Sequence, residues 1–197
     1  SDPEAVYNTV KQAYERQFQI TLTEPFGFNN TFAILIRGED ARRLNVKTIS
    51  EVAQYTTDWR AGFGYEFIER SDGFPGLSQR YGLRFKEQPR VMDLALTYRA
   101  LADKQVDFIA GNSTDALIAS LDLFMLADDK NYFPPYQAVP LVRQDTLARV
   151  PTLRTVLAKL GNTITEVEMQ RLNGLVDVEK RNINQVVKDY LTTKKLL

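Results

Sequence analysis

Phe32-Ala33-Ile34-Leu35-Ile36 is a short, unbroken apolar run. Its length suits a strand, and a strand without polar alternation is one buried on both faces. Val106-Asp107-Phe108-Ile109-Ala110, Leu121 to Leu126, Phe18 to Leu22, Arg60 to Tyr65 and Ala138 to Val142 suit further strands. Helical signals alternate with them. Asp2-Pro3 places an N-cap before proline at the first helical position, with Val6, Val10, Ala13 and Tyr14 at helical spacing. Thr48-Ile49-Ser50-Glu51 and Thr165-Glu166-Val167-Glu168 have capping-box spacing, and Asn182-Ile183-Asn184-Gln185 is a weaker version. Phe74 to Tyr81 reads as a helix ended by Gly82, Met92 to Ala102 as another, and Val150-Pro151 opens one with Leu153, Val156, Leu157 and Leu160 on one face before Gly161. After Asn182, Val186, Val187 and Tyr190 are expected to face inward. The alternation predicts an α/β chain with largely parallel pairing.

Composition excludes several functions. The chain has 197 residues, 44% of them hydrophobic and 25% charged, the balance of an ordinary globular protein. Lys+Arg and Asp+Glu both number 25, so no polyanion partner is indicated and nucleic-acid binding is not expected. There is no histidine and no cysteine, which removes thiol nucleophiles, disulfides, histidine triads and most zinc sites. No enzyme, cofactor or metal site is expected. Asp128-Asp129 is an acidic pair, but adjacent residues of one loop seldom converge on one bond. No internal repeat or membrane-span-length run is present.

The segment from Asp128 to Leu141 sets Tyr132, Phe133 and Tyr136 around Pro134-Pro135. Two prolines stiffen the loop and hold Tyr136 in one direction, which suits a wall for a cation or an apolar ligand. The same spacing also fits a surface loop whose aromatics pack beneath it. Trp59, Phe63, Tyr65 and Phe67 alternate as a strand would, and core packing is their default reading.

Four segments together resemble the substrate-binding proteins of ABC transporters for glycine betaine, choline and related osmoprotectants. They are Phe28-Asn29-Asn30-Thr31-Phe32-Ala33, Asp107 through Gly111-Asn112-Ser113-Thr114-Asp115, Asp128-Asp129-Lys130 through Pro134-Pro135-Tyr136, and Val176-Asp177-Val178-Glu179-Lys180-Arg181. They occur in the family's order, so the resemblance covers the whole chain. It implies a type 2 periplasmic-binding-protein fold, two α/β lobes around a cleft. Residues 1–30 are then expected to belong to lobe one and the hinge, 31–138 to lobe two, and 139–197 to a mostly helical return to lobe one. The family's chains begin upstream of this Ser1 with a unit carrying a Tyr-Thr-Gly-Thr type motif, which this sequence lacks. Lobe one is therefore expected to be incomplete, and a homodimer through it is an accompanying expectation.

A quaternary ammonium has no N–H donor, so such families surround it with aromatic faces, each contributing roughly 0.5–2 kcal/mol. The resemblance places Tyr136 on a cage tyrosine. It places Phe32 on a second cage position that usually holds tyrosine, and Asn112 on a third, where the aromatic is lost. Arg70 falls where the family binds a carboxylate, and Thr31, Thr114 and Asp115 are candidate polar contacts. Each also has a plainer reading: Phe32 as core, Arg70 as a solvated charge in Glu69-Arg70-Ser71-Asp72, and Asn112-Ser113-Thr114-Asp115 as a helix N-cap. With Asn112 in the cage, a small polar or zwitterionic solute is expected, with reduced affinity for trimethylammonium betaines. The implied partners are a small-molecule ligand and a permease subunit, in a periplasmic or extracellular location, with a membrane anchor in the parent protein. The alternative function is a ligand-sensing effector domain of a regulator with the same fold.

Overall fold

In the computed structural model, which describes residues 2–197, Asp2 caps helix α1 (Pro3–Gln17) by accepting from the Glu4 amide. Strand β1 (Ile20–Leu22) follows, then β2 (Phe32–Arg37), α2 (Gly38–Leu44), and α3 (Ile49–Val52), which runs into a 3-10 turn at Ala53–Asp58. Next come β3 (Ala61–Phe63), α4 (Tyr65–Glu69), α5 (Phe74–Tyr81), β4 (Arg90–Val91), α6 (Leu94–Ala102), β5 (Phe108–Asn112), α7 (Leu117–Ser120) and β6 (Leu123–Leu126). The chain ends with β7 (Leu141–Arg143), α8 (Gln144–Arg149), α9 (Thr152–Ala158), α10 (Glu166–Asp177) and α11 (Ile183–Thr193). It divides into two compact units: the residues up to Thr31 together with Pro134–Leu197, and Phe32–Phe133.

The Phe32–Phe133 unit is built on a five-stranded sheet in the order β4-β3-β5-β2-β6. The apolar run of β2 lies at its heart, and Ala33, Ile34, Leu35 and Ile36 are all 2% exposed or less. Period-two alternation sends Ile34 and Ile36 to one face, with Phe63, Phe108, Ile49 and Leu77, and Ala33 and Leu35 to the other, with Tyr98, Leu101 and Ile109. The sheet is mixed rather than largely parallel: β3 pairs parallel with β4 and β5, whereas β2 pairs antiparallel with both β5 and β6. A strand covered on both faces is apolar whichever way its neighbours run, so the sequence pattern carries no direction.

Several expectations at element ends are corrected. Tyr65 and Phe67 are helical, not extended: Gly64 ends the β3 segment, and α4 turns Phe67 inward while Tyr65 stays exposed. Helices α2 and α8, seven and six residues long, have too few turns to show an apolar period. Val187 and Val156 are exposed, whereas Val186 and Tyr190, spaced i and i+4, share the inward face of α11. The capping box at Thr48 forms in full, and the Thr165 and Asn182 side chains accept from the first-turn amides of α10 and α11.

An ion cluster closes the far end of β2. Arg37 donates to Asp40 at 2.6 Å, to Asp107 at 2.8 Å, and to the carbonyls of Leu101 and Val106. Asp107 also accepts from the Arg60 amide at 3.0 Å and its Nε at 3.1 Å. Burial pushes the Asp107 carboxyl up, but the bonds from Arg60 and Arg37 outweigh it and hold Asp107 below the usual carboxylate range. Asp40 is likewise raised by burial and lowered further by Arg43 and Arg37.

The other unit is thinly cored. Its sheet is the two-stranded antiparallel pair β1–β7, in the register Ile20↔Arg143 to Leu22↔Leu141. Among the described residues its buried apolar and aromatic side chains are Leu22, Val186 and Tyr190. Between α10 and α11 an apolar cavity of about 310 Å³, lined by Phe26, Leu172, Val176, Ile183 and Tyr190, stands open. A two-stranded ladder and a few buried side chains stabilise a unit weakly.

Two outcomes are expected. In hydrogen exchange, amides of β2 and β5 should be at least about tenfold better protected than those of α1 and α10; equal protection would contradict the difference in core. Because Asp40 and Asp107 sit below their unfolded value of about 3.9, their stabilisation is fully present above that pH and lost as pH falls through the folded values. The urea midpoint should therefore drop below about pH 4, and less steeply in Asp107→Asn, which should itself cost about 2–3 kcal/mol at neutral pH.

Candidate functional site

In the Phe32–Phe133 unit, the antiparallel ladder sets Phe32, the first residue of β2, opposite Asn112, the last of β5. Two candidates distant in sequence thus share one end of the sheet. Beneath them lies Tyr98 of α6, fully buried, whose hydroxyl oxygen accepts from the Asn112 amide at 2.9 Å. Burial raises the Tyr98 phenol well above its ordinary value, and a hydrogen bond to the Asp115 carboxylate adds to this. Only glycine fits at position 111, where a Cβ would stand 2.2 Å from the Tyr98 oxygen. Thr114 is buried, and Asp115 accepts from the Leu117 amide at 2.8 Å. The start of α7 is therefore served by Asp115, within the Asn112-Ser113-Thr114-Asp115 segment read as a helix N-cap, while Asn112 itself still belongs to the strand.

The Phe32 ring is half-buried in an aromatic group. Its centroid is 4.9 Å from that of Phe67, edge-on, and 5.8 Å from that of Phe133. Phe133 is held by Asp128, whose carboxylate accepts from the amides of Tyr132 at 2.9 Å and Phe133 at 2.8 Å and from the Tyr81 hydroxyl. Asp128 is thus a loop organiser. Tyr132 donates in turn to the Gly73 carbonyl at 3.0 Å, tying the loop to the turn that carries Arg70 and Asp72.

Arg70 follows α4, and its guanidinium carbon lies 5.8 Å from the Phe32 centroid, over the ring. Its Nε and one terminal nitrogen donate to the two oxygens of Asp72 at 2.7 and 2.6 Å, and the other terminal nitrogen to Glu66 at 3.1 Å. Arg70 is therefore not merely a solvated charge. Phe67, Phe133 and Asp72 were not singled out as site residues by sequence. Phe67 was assigned to a strand, while Phe133 and Asp72 stand within the quoted segments of Tyr136 and Arg70.

The remaining candidates belong to the other unit. Thr31 ends its first segment. Tyr136 accepts through its carbonyl from the Asn30 amide at 2.9 Å, and with Tyr7, Val10, Leu22 and Pro135 it lines a cavity of about 200 Å³.

A family model described as the substrate-binding domain of ABC-type glycine betaine transport systems matches residues 2–193. The chain belongs to this family. It is a family of binding domains, not of enzymes. A carnitine transport binding protein of Listeria monocytogenes is 34% identical over 191 residues, 96% of this chain and 62% of that protein. An ergothioneine transport permease/ergothioneine binding protein of Helicobacter pylori is 35% identical over 185 residues, 94% of this chain and 33% of that protein. The chain thus spans a third to under two thirds of these relatives. The crystal structure of a glycine betaine/carnitine/choline ABC transporter protein superposes with a TM-score of 0.91 at 33% identity, covering 99% of this chain and 71% of that one. The periplasmic-binding-protein-like α/β fold of the family is the fold of this chain. Among the described residues no helix is long and apolar enough to cross a membrane.

Asp128→Ala should unhook the loop that carries Phe133. Losing three hydrogen bonds to one carboxylate is expected to lower the urea-unfolding free energy by about 2–4 kcal/mol, with the far-UV spectrum kept. A cost below about 1 kcal/mol would show that Asp128 does not organise the loop.

Proposed function

We propose that this chain is the solute-binding part of an ABC importer, taking a small osmoprotectant-like quaternary amine or polar zwitterion. Lobe closure captures the solute, and a permease component reads the closed form. The observation that carries the reading is the Phe32 face: a guanidinium already lies over it in cation–π geometry, so the ring offers its negative face to positive charge. Phe32 and Tyr136 provide ring faces in this proposal. Asn112, Thr31, Thr114 and Asp115 provide polar contacts, and Arg70 sets the local charge. The names of the relatives support the same class of solute, and a binding part of an importer works outside the membrane, periplasmic or extracellular.

Calorimetric titration of the full-length protein with glycine betaine and with choline tests this. Saturable binding is expected, weaker than micromolar for glycine betaine because Asn112 offers no ring, and reduced at least about tenfold by Phe32→Ala. If neither solute shows saturable binding, the reading fails; micromolar or tighter glycine betaine binding would remove its reduced-affinity part.

A further inference from the structure

We propose that Tyr65 is a further ligand-binding residue: a ring at the carboxyl end of β3 that forms a wall for the ammonium head of the solute. The inference deepens the solute-binding reading and rests on it. An ammonium without N–H donors is held by ring faces, and no single face is strong, so a site gains from a second. Within the Phe32–Phe133 unit, Phe32 offers a ring and Asn112, opposite it, offers none. The strand beyond Asn112 is β3, paired parallel with β5 in the register Ala61↔Phe108 and Gly62↔Ile109. Carried on to the end of β5, this register sets Tyr65 level with Asn112. Gly64 is still extended (φ −69°, ψ 155°), and the Phe63 carbonyl accepts from the Met92 amide at 3.0 Å, so the strand path holds that far. Phe32, Asn112 and Tyr65 thus stand in a row across neighbouring strands, where β3 and β5 finish and β2 begins. Ligands of open α/β sheets bind beyond the carboxyl ends of the strands.

The local backbone points the ring the same way. Tyr65 is the first residue of α4, and Cα–Cβ bonds tilt toward a helix's N-terminus, which here is the end of β3. Two residues on, Phe67 turns into the core and packs edge-on against Phe32 with centroids 4.9 Å apart. The two rings of this short helix therefore divide their work: Phe67 supports Phe32 from beneath, while Tyr65 is left 65% exposed. An exposed ring by itself means little, but this one stands in line with the ring of Phe32 and the ringless Asn112. Because so much of Tyr65 is exposed, its replacement should act on ligand affinity rather than on folding.

The test titrates choline and glycine betaine, which share a trimethylammonium head, into the full-length protein and three variants by calorimetry. Tyr65→Leu, which keeps apolar bulk but has no ring face, should lower both affinities about tenfold. Tyr65→Phe, which keeps the face, should stay within about threefold of the unsubstituted protein. Tyr65→Leu with Asn112→Tyr, which returns a ring one strand away, should recover most of the loss. The urea midpoint of Tyr65→Leu should match that of the unsubstituted protein. Affinities unchanged in Tyr65→Leu, while Phe32→Ala still weakens binding, overturn the role of Tyr65 and leave the solute-binding reading intact. A loss confined to one of the two solutes, or an equal loss in Tyr65→Phe, overturns contact between the ring face and the shared head. Absence of saturable binding to the unsubstituted protein defeats both readings together.

Discussion

Strand β2 is enclosed on four sides. Helix-bearing cores cover its two faces, and antiparallel ladders with β5 and β6 take up its two edges, so its backbone bonds and its apolar side chains are satisfied together. Such a strand tolerates neither a slip in register nor a change of face, because moving by one residue would send Ile34 and Ile36 to the opposite core. Both chemically marked ends of the sheet follow from this constraint. At one end Phe32 is set opposite Asn112, and at the other Arg37 is driven into the cluster with Asp40 and Asp107.

The two ends treat charge differently. Around Arg37 the carboxylates and backbone carbonyls are screened from solvent, so each partner removed leaves a costly remainder. Around Arg70 the groups remain partly solvated and lie against an aromatic face. The first arrangement stabilises the unit. The second leaves a partly exposed charged group, held by a turn and loop that Tyr132 joins.

Much of the architecture was legible because local chemistry and burial agree. The runs at 32–36, 106–110 and 121–126 all yield strands shifted by no more than two residues, and the caps at Asp2, Thr48, Thr165 and Asn182 open helices. What was lost lay in features without a local signature. Strand direction depends on where connections return, so the antiparallel placement of β2 was invisible. Short helices such as α2 and α4 offer too few turns for a period, and the aromatic spacing of 63, 65 and 67 imitated a strand across a glycine break. The site shows the same division. Aromatic and polar candidates can be named from motifs, but the meeting of Phe32 with Phe67 and Phe133, and the closing of Asp72 on Arg70, arise only when sheet and loop are assembled.

The contact between the Phe32 and Phe133 rings has a further meaning, because these are the first and last residues of their unit. A unit whose termini touch behaves as an insertion: it can fold from a continuous stretch of chain while the flanking segments are still disordered. Once it has folded, it has already brought the chain at Thr31 close to the chain at Pro134. The flanking segments are then spared the closure of a loop of roughly 100 residues, an entropic cost of about 4 kcal/mol. For a unit with so thin a core, that saving is comparable to burying one or two large apolar side chains. Pairing of β1 with β7 is entropically easier once the insert between them is folded.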